Sequence, residues 1–208
     1  MEITGVEARE RGVRRLFLAI PLSKGLREEL ALFLQRFRPR FETATGGGGG
    51  ISWVPLQNLH LTIKFFGDVG LSGERRIVEA VERYVRDVTP FALDLHGVGT
   101  FPGASRSPRV VWFGCRGQVE EVTTAVEGLE YVLERIGWAR EKRGFKPHLT
   151  IARIRRPIPA SATLTSLLDD FRDERFGTWP VDEWTLFRSE LLATGAVYHA
   201  VHRFPLAR

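Results

Sequence analysis

The chain has 208 residues, of which 43% are hydrophobic, and its formal net charge is +5. The only cysteine, Cys115, excludes an intramolecular disulfide, and the apolar run 16–22 is far too short to span a bilayer. We therefore expect a cytoplasmic protein of one sizeable domain or two small lobes, with no membrane partner. Arginine supplies almost all of the basic excess, which fits a nucleic-acid partner but does not require one.

The first part of the chain predicts a leader, a buried strand and a helix. We expect residues 1–13 to form a loose leader and residues 14–208 to form a single bilobal domain. The run 16–20 is apolar throughout and predicts a buried strand. Ser23 is a suitable N-cap for the helix that follows, and Pro39 is expected to stop that helix.

An uninterrupted run of five glycines stands at 46–50. It predicts a flexible surface connection, because fixing a glycine backbone is entropically costly, and a mobile flap beside a cleft is the alternative. Helices are then predicted over 73–88, 118–136 and about 160–171, and strands over 91–96, 109–115, 148–154, 181–191 and 197–204. Strands with several short links predict an α+β fold of two antiparallel sheets with helices outside.

The phrase His-Leu-Thr-Ile occurs twice, beginning at His60 and at His148. Both copies lie in runs that predict β-strands, and successive side chains of a strand point to opposite faces. Each histidine therefore shares a face with the threonine two residues later, Thr62 or Thr150, while leucine and isoleucine anchor the other face. One such strand alone is weak evidence, but two copies in a chain with five histidines favour a shared functional role.

A matched pair of His-plus-Thr strands suits displacement at phosphorus. The unperturbed pKa of imidazole is about 6.5, so two imidazoles can act as general base and general acid near neutral pH. One activates water and the other protonates the leaving oxygen. The threonine hydroxyls can hold the non-bridging oxygens through hydrogen bonds.

These phrases and their surroundings resemble a known family. The matching stretches are RLFLAI at 15–20, WVP at 53–55, NLHLTIKFFG at 58–67, KPHLTIAR at 146–153 and LFRSEL at 186–191. They resemble the 2H phosphoesterase superfamily, named for two His-x-Thr-x motifs, and within it the bacterial and archaeal RNA 2′,3′-cyclic phosphodiesterases, often labelled 2′-5′ RNA ligases. The match is specific at both motifs and looser between them.

The resemblance implies two lobes about a pseudo-two-fold axis, with the motif strands facing each other across a cleft. It also implies that the protein opens a 2′,3′-cyclic phosphate at an RNA end to a 2′-phosphate, without a cofactor. By this analogy His60 is the proton donor and His148 the proton acceptor, although the near-symmetry of the motifs does not fix these roles. We expect a monomer that acts on RNA or oligonucleotides with such an end.

Two basic residues follow the motifs. Lys64 shares strand parity with His60, so we expect it to reach the cleft, with a position at the rim as the alternative. The resemblance assigns phosphate contact to Arg153. Simple alternation puts Arg153 on the wrong face, so a bulge or the strand's end must bring it round. No acidic cluster has metal-ligand spacing, and we expect no metal.

Two other activities remain open from the sequence. Ligation of RNA through a 2′-5′ bond is the reverse reaction and uses the same groups. An RNA-binding module without catalysis is the other alternative. A binder needs hydroxyls and arginines but not two titratable imidazoles, so the intact pairs of His and Thr count against it.

Overall fold

The computed structural model describes residues 12–47, 50–159, 161–193 and 195–207. Most of the expected leader, two of the five glycines, the first residue of the helix expected near 160 and residue 194 lie outside the described residues. The loose leader and the flexible glycine connection therefore stay predictions.

The described residues form nine strands and four α-helices. The strands are β1 (Arg14–Pro21), β2 (Ile51–Trp53), β3 (His60–Val69), β4 (Phe91–Phe101), β5 (Val110–Gly117), β6 (His148–Ile154), β7 (Arg175–Val181), β8 (Glu183–Leu192) and β9 (Gly195–Pro205). The helices are α1 (Lys24–Ala44), α2 (Leu71–Val85), α3 (Val119–Glu134) and α4 (Ala162–Asp170), and a 3₁₀ turn spans Leu56–Asn58.

All nine strands belong to one sheet, and every recorded pairing is antiparallel. Eight strands follow the order β7-β4-β5-β6-β3-β1-β8-β9, and β2 pairs with β6 beside that path. The strands β3, β1, β8 and β9 form lobe A, and the strands β7, β4, β5 and β6 form lobe B. The α+β class is confirmed, and the two expected sheets are continuous where β3 meets β6.

Two helices cross from the lobe in which they begin to the other lobe. Helix α1 follows β1 of lobe A, yet its Phe33 ring packs edge-on against Phe113 of β5 and Phe176 of β7 in lobe B. Helix α3 follows β5 of lobe B, yet its Glu130 bonds Lys64 of β3 in lobe A. Each crossing buries side chains of one lobe against the other and holds the lobes together.

Helix α1 continues through Pro39, so the expected stop at that residue is wrong. Proline removes one intrahelical hydrogen bond. The flanking Phe37 and Phe41 are fully buried, and both pack edge-on against Trp53. Burying two aromatic side chains stabilises the helix by more than the lost bond costs. The expected N-cap is confirmed, because the Ser23 hydroxyl oxygen accepts from the backbone N–H three residues later.

Strands β2 and β7 were not predicted. Pro180 and Gly177 interrupt the apolar alternation of β7, which obscures it in the sequence. The structure explains the proline, because β7 is an edge strand and an edge N–H needs no partner. Among the described helices, none combines the length and apolar composition that crossing a membrane requires.

Candidate active site

The two motifs lie on neighbouring strands and meet at one cross-strand pair. Leu61 of β3 lies directly opposite Leu149 of β6, and both leucines are fully buried. The histidine before each leucine and the threonine after it are half-buried on the opposite face of the sheet. In the antiparallel register that this pair sets, the opposed residues are His60 with Thr150 and His148 with Thr62.

Both imidazoles are oriented by the same local contact. Nδ1 of His60 lies 2.7 Å from the carbonyl oxygen of Asn58, and Nδ1 of His148 lies 2.7 Å from that of Lys146. A carbonyl oxygen only accepts hydrogen bonds, so each Nδ1 carries the donated proton. Each Nε2 is therefore the nitrogen left to take or give a proton, which is the arrangement that general acid–base catalysis needs.

A bulge in β6 brings Arg153 to the face of the motif. Between β5 and β6 the register shifts, which makes Ile151 an extra residue on the bulged strand. Ile151 and Ala152 are consequently both buried, and Arg153 is exposed on the side of Thr150. Arg153 lies close enough to His60 to act on it electrostatically. The bulge that the sequence required is therefore present.

The equivalent bulge in β3 moves Lys64 away from the cleft. Ile63 is the extra residue, because Leu18 pairs with Lys64 and Ala19 pairs with Thr62. Lys64 is consequently buried, with its Nζ 2.7 Å from Glu130 Oε2.

The same Nζ lies 2.7 Å from the carbonyl oxygen of Ala139. The expectation that Lys64 shares the face of His60 is wrong, since the bulge reverses strand parity beyond Ile63. Phe65, which is 59% exposed, takes the cleft position instead.

The surroundings of His60 are aromatic and largely closed. Its ring lies 4.9 Å from the Phe17 ring and 5.5 Å from that of Tyr198, which meets it edge-on. Burial lowers the pKa of His60 below 6.5, the carbonyl of Asn58 opposes that shift, and the positive charge of Arg153 adds to it. In the unliganded protein the neutral imidazole is thus favoured.

His148 lies in a more open setting. The Phe101 ring meets it edge-on at 5.2 Å, and Trp112 lies 5.0 Å from Phe101. A methyl group at Gly99 would overlap the Trp112 indole, so the glycine lets that ring lie against the strand. One aromatic ring therefore contacts His148, and a second packs against that ring.

Sequence reasoning assigned no role to Tyr198 or Phe101. Phe17 belongs to the run 16–20 that was expected to be a buried strand, and it is buried, but it also contacts His60. Alternation along β9 predicts only on which face of the sheet Tyr198 lies. Its contact with His60 depends on β9 lying two strands from β1, which no local pattern indicates.

The other three histidines do not join the motifs. The nearest carboxylates recorded for them are Glu190 at 3.4 Å from His199, Glu82 at 2.9 Å from His202 and Asp173 at 3.9 Å from His96. Within the described part of the chain, no three or more His, Cys, Asp or Glu side chains are grouped so that they could hold a metal ion.

Comparison with known sequences identifies relatives over most of the chain. Residues 26–191 match the family model of the 2′-5′ RNA ligase superfamily. An RNA 2′,3′-cyclic phosphodiesterase of Methanothermobacter thermautotrophicus is 33% identical over 192 residues, which cover 92% of this chain and 98% of the relative. A protein of the same name from Thermus thermophilus is 31% identical over 201 residues, or 92% of this chain and 90% of the relative.

Solved structures resemble the fold over both lobes. The crystal structure of TT0787 from Thermus thermophilus is 30% identical with a TM-score of 0.72, and the match covers 92% of this chain and 97% of that one. The Escherichia coli protein LigT, crystallised with 3′-AMP, is 25% identical with a TM-score of 0.70. That match covers 94% of this chain and 99% of LigT.

Proposed function

Because the chain belongs to the 2′-5′ RNA ligase superfamily, we propose that it hydrolyses 2′,3′-cyclic phosphodiesters at RNA ends to 2′-phosphomonoesters. The relatives named above for this activity match over nearly their whole length. The observation that carries the proposal is the opposition of two imidazole–hydroxyl pairs across the Leu61–Leu149 pair. Such an arrangement offers an acid and a base on the two sides of one bound phosphate.

In this mechanism the attack and the departure are in line. His148 takes a proton through Nε2 from the water whose oxygen forms the new bond to phosphorus. The bond between phosphorus and the 3′-oxygen breaks on the far side, and His60 gives its proton to that oxygen. His148 ends with one proton more and His60 with one fewer, and exchange with solvent restores both.

The threonines and Arg153 act on the charge that develops at phosphorus. Thr62 and Thr150 lie on the cleft face beside the histidines, where their hydroxyls can donate to the non-bridging oxygens. Arg153, exposed on the same face, can pair with the phosphate through its planar guanidinium. Hydrogen bonds that strengthen as charge accumulates lower the barrier to the chemical step.

The assignment of His60 as acid follows from the family resemblance. Its lowered pKa opposes that role in the free protein, because the neutral form is favoured there. A bound phosphate anion facing Nε2 favours the charged imidazolium and raises the pKa again. We therefore propose that substrate binding itself protonates His60.

The test is turnover of a nucleoside 2′,3′-cyclic monophosphate by the wild type, His60→Ala and His148→Ala. Both variants should lose activity, whereas His199→Ala, a matched control 46% exposed outside the site, should keep it. A phosphodiester with a much better leaving group should rescue His60→Ala far more than His148→Ala. Rescue of His148→Ala instead reverses the roles. Binding without turnover in the wild type would make the protein an RNA-binding module.

Ligation through a 2′-5′ bond uses the same groups in reverse, and the matched family is named for it. A cyclic-phosphate RNA incubated with an excess of 5′-hydroxyl RNA separates the two activities. Hydrolysis gives the 2′-phosphate in both the presence and the absence of the second strand. Ligation gives a joined product that resists a nuclease specific for 3′-5′ bonds.

A further inference from the structure

A pocket rich in nitrogen donors lies in lobe B, away from the two histidine motifs. It has a volume of about 370 Å³, and β4, β5 and β7 contribute its walls. Three of its lining side chains carry nitrogen donors: His96, Arg116 and Arg175. We call it the arginine pocket. The proposed hydrolysis uses none of these residues.

His96 is the most buried of these three side chains, with only 7% of its surface exposed. Its nearest recorded partner is the Asp173 carboxylate at 3.9 Å, which is too far for a hydrogen bond. Burial also lowers the pKa of His96, so its neutral ring has one donor and one acceptor nitrogen. A buried polar ring that lines a pocket and has no close partner among the described residues points to a ligand.

The arginine pocket lies on the same sheet face as the proposed reaction centre. His148 of β6 pairs with Gly114 of β5, Gly114 pairs with His96 of β4, and His96 pairs with Arg175 of β7. Directly opposed residues share a face, so this row continues the cleft across lobe B. At the usual strand spacing, His96 is about 10 Å and Arg175 about 14 Å from His148.

Aromatic side chains and glycines line the surface between His148 and the arginine pocket. Phe101 contacts His148, and Trp112 packs against Phe101. At Gly114 an added Cβ would lie 2.9 Å from the carbonyl oxygen of His96 and 3.2 Å from the Trp112 ring, so the glycine lets that indole lie against the row. Aromatic rings followed by a cationic groove are the arrangement that binds single-stranded nucleic acid, through stacking and phosphate contacts.

Among the described residues, the carboxylates in and beside the arginine pocket do not hold its arginines in strong ion pairs, so the guanidinium groups can bind a phosphate. Asp94 accepts a hydrogen bond from the Thr178 hydroxyl at 2.7 Å. Arg116 lies 3.4 Å from Asp173, which is 80% exposed, so a phosphate can displace that weak pair. No ion pair is recorded for Arg175 within the described ranges.

From these contacts we propose that the arginine pocket binds a backbone phosphate of the RNA strand, on the 5′ side of its cyclic end. At about 10–14 Å from His148, the pocket lies a few nucleotides along the strand from the reacting phosphate. The rest of the RNA strand is attached to the terminal ribose through its C5′. The strand can therefore extend to the arginine pocket whether His60 or His148 protonates the leaving oxygen. The identity of the strand as RNA with a cyclic end rests on the proposed function.

The test compares a short and a long substrate in the double variant Arg116→Gln/Arg175→Gln. The short one is uridine 2′,3′-cyclic monophosphate, and the long one is an octaribonucleotide with the same cyclic end. KM for the octamer should rise roughly tenfold, and the slope of log KM against log salt should fall by about 0.7, because one phosphate contact of a single strand is lost. KM and kcat for the mononucleotide should not change.

Two further variants sharpen the test. Arg83→Gln/Arg86→Gln removes the same charge at the C-terminal end of α2 and the residue that follows it, where both arginines are exposed, and should leave the octamer KM unchanged. Asp173→Asn removes the competing carboxylate and should lower the octamer KM. An equal rise for both substrates in the pocket variant, or an equal rise in the α2 variant, overturns the proposal.

Failure of the proposed hydrolysis is separable from failure of the pocket. If the wild type turns over neither substrate, fluorescence anisotropy with an octamer ending in a 2′-phosphate still measures binding. Weaker binding by Arg116→Gln/Arg175→Gln alone supports the pocket. Equal binding by the wild type and both double variants rejects it.

Discussion

Leu61 and Leu149 face each other across the junction of the two lobes, and each stands between a histidine and a threonine of the motif. Theirs is the one register pair recorded between the fully described strands β3 and β6. The buried leucines therefore set the spacing of the polar groups on the other face. A change in this hydrophobic pair must be felt at both imidazoles.

Leu61→Ala should reduce both stability and turnover. Loss of a buried leucine side chain typically costs about 2–5 kcal/mol of unfolding free energy. Because Leu61 also fixes the position of His60 against Thr150, kcat should fall in the protein that remains folded. Urea denaturation and kcat at low temperature measure the two effects. Leu16→Ala, at an equally buried position of β1, should lose similar stability with a smaller loss of kcat; equal losses of kcat would separate the junction from catalysis.

The threonines should matter for the rate of the chemical step rather than for the pKa of His60. Thr62→Ala and Thr150→Ala should each lower kcat by roughly 10²–10³, the usual effect of removing one transition-state donor. Thr62→Ser and Thr150→Ser keep the hydroxyl and should retain most activity. Pre-steady-state rates measure the loss, and NMR should show that the pKa of His60 still lies below its usual value. Wild-type rates in the alanine variants would remove the hydroxyls from the mechanism.

Removing Arg153 and binding a phosphate should both raise the pKa of His60, the first by taking away a positive charge and the second by adding a negative one. In Arg153→Gln the pKa of His60 should rise, because a positive charge is removed. A bound nucleoside 2′-phosphate should also raise it, because the anion stabilises the imidazolium. The ring C–H signals of His60 in NMR report both shifts. No shift in either experiment would place Arg153 and the phosphate away from this ring.

The lowered pKa of His60 also links stability to pH. The unfolded chain binds a proton at His60 near 6.5, above the folded value, so the unfolded state holds more protons between the two values. Stability should therefore rise with pH through that window, level off above it, and fall as the solution is acidified. Guanidinium unfolding at several pH values should show this dependence reduced in His60→Gln. An unchanged dependence in that variant would assign it to other groups.

Lys64 should be a structural residue. Its side chain is 3% exposed and that of Glu130 is 10% exposed, so Lys64→Met leaves a buried carboxylate without its cation. Such a loss typically costs about 3–5 kcal/mol, and Lys64→Met/Glu130→Leu should recover most of it. KM for the cyclic mononucleotide should be unchanged in the double variant. A raised KM with normal stability would return Lys64 to the cleft.

Chelators should leave turnover intact, since imidazoles and hydroxyls can perform the proposed chemistry directly. The measurement is hydrolysis of a cyclic mononucleotide after dialysis against EDTA, with and without added Mg²⁺ or Mn²⁺. Loss of activity that a divalent ion restores would require a metal step.

Period-two alternation was enough to place His60 and Thr62 on one face, because β3 is regular up to Ile63. The alternation rule failed for Lys64 because a β-bulge precedes it. That bulge arises from the pairing of β3 with the neighbouring strand β1. For Arg153 the need for a bulge could be predicted from the sequence, because simple alternation placed the residue on the face away from the phosphate that it was expected to bind. The contacts of Tyr198 and the alignment of His96 and Arg175 with His148 depend on strand order. No local pattern specifies that order.

The order of strands also has a consequence for how the protein reaches its native state. Lobe B comes from the continuous stretch 91–181, whereas lobe A joins β1 and β3 to β8 and β9 from the other end of the chain. Arg15 must find Ser189, a pairing of high sequence separation, and such pairings slow folding. The rings beneath His60 come from both ends, since Phe17 stacks on Phe187 and meets Tyr198 edge-on. The lowered pKa of His60 therefore reports that folding is complete. Until β8 and β9 join the sheet, the aromatic rings that bury this imidazole are not all in place.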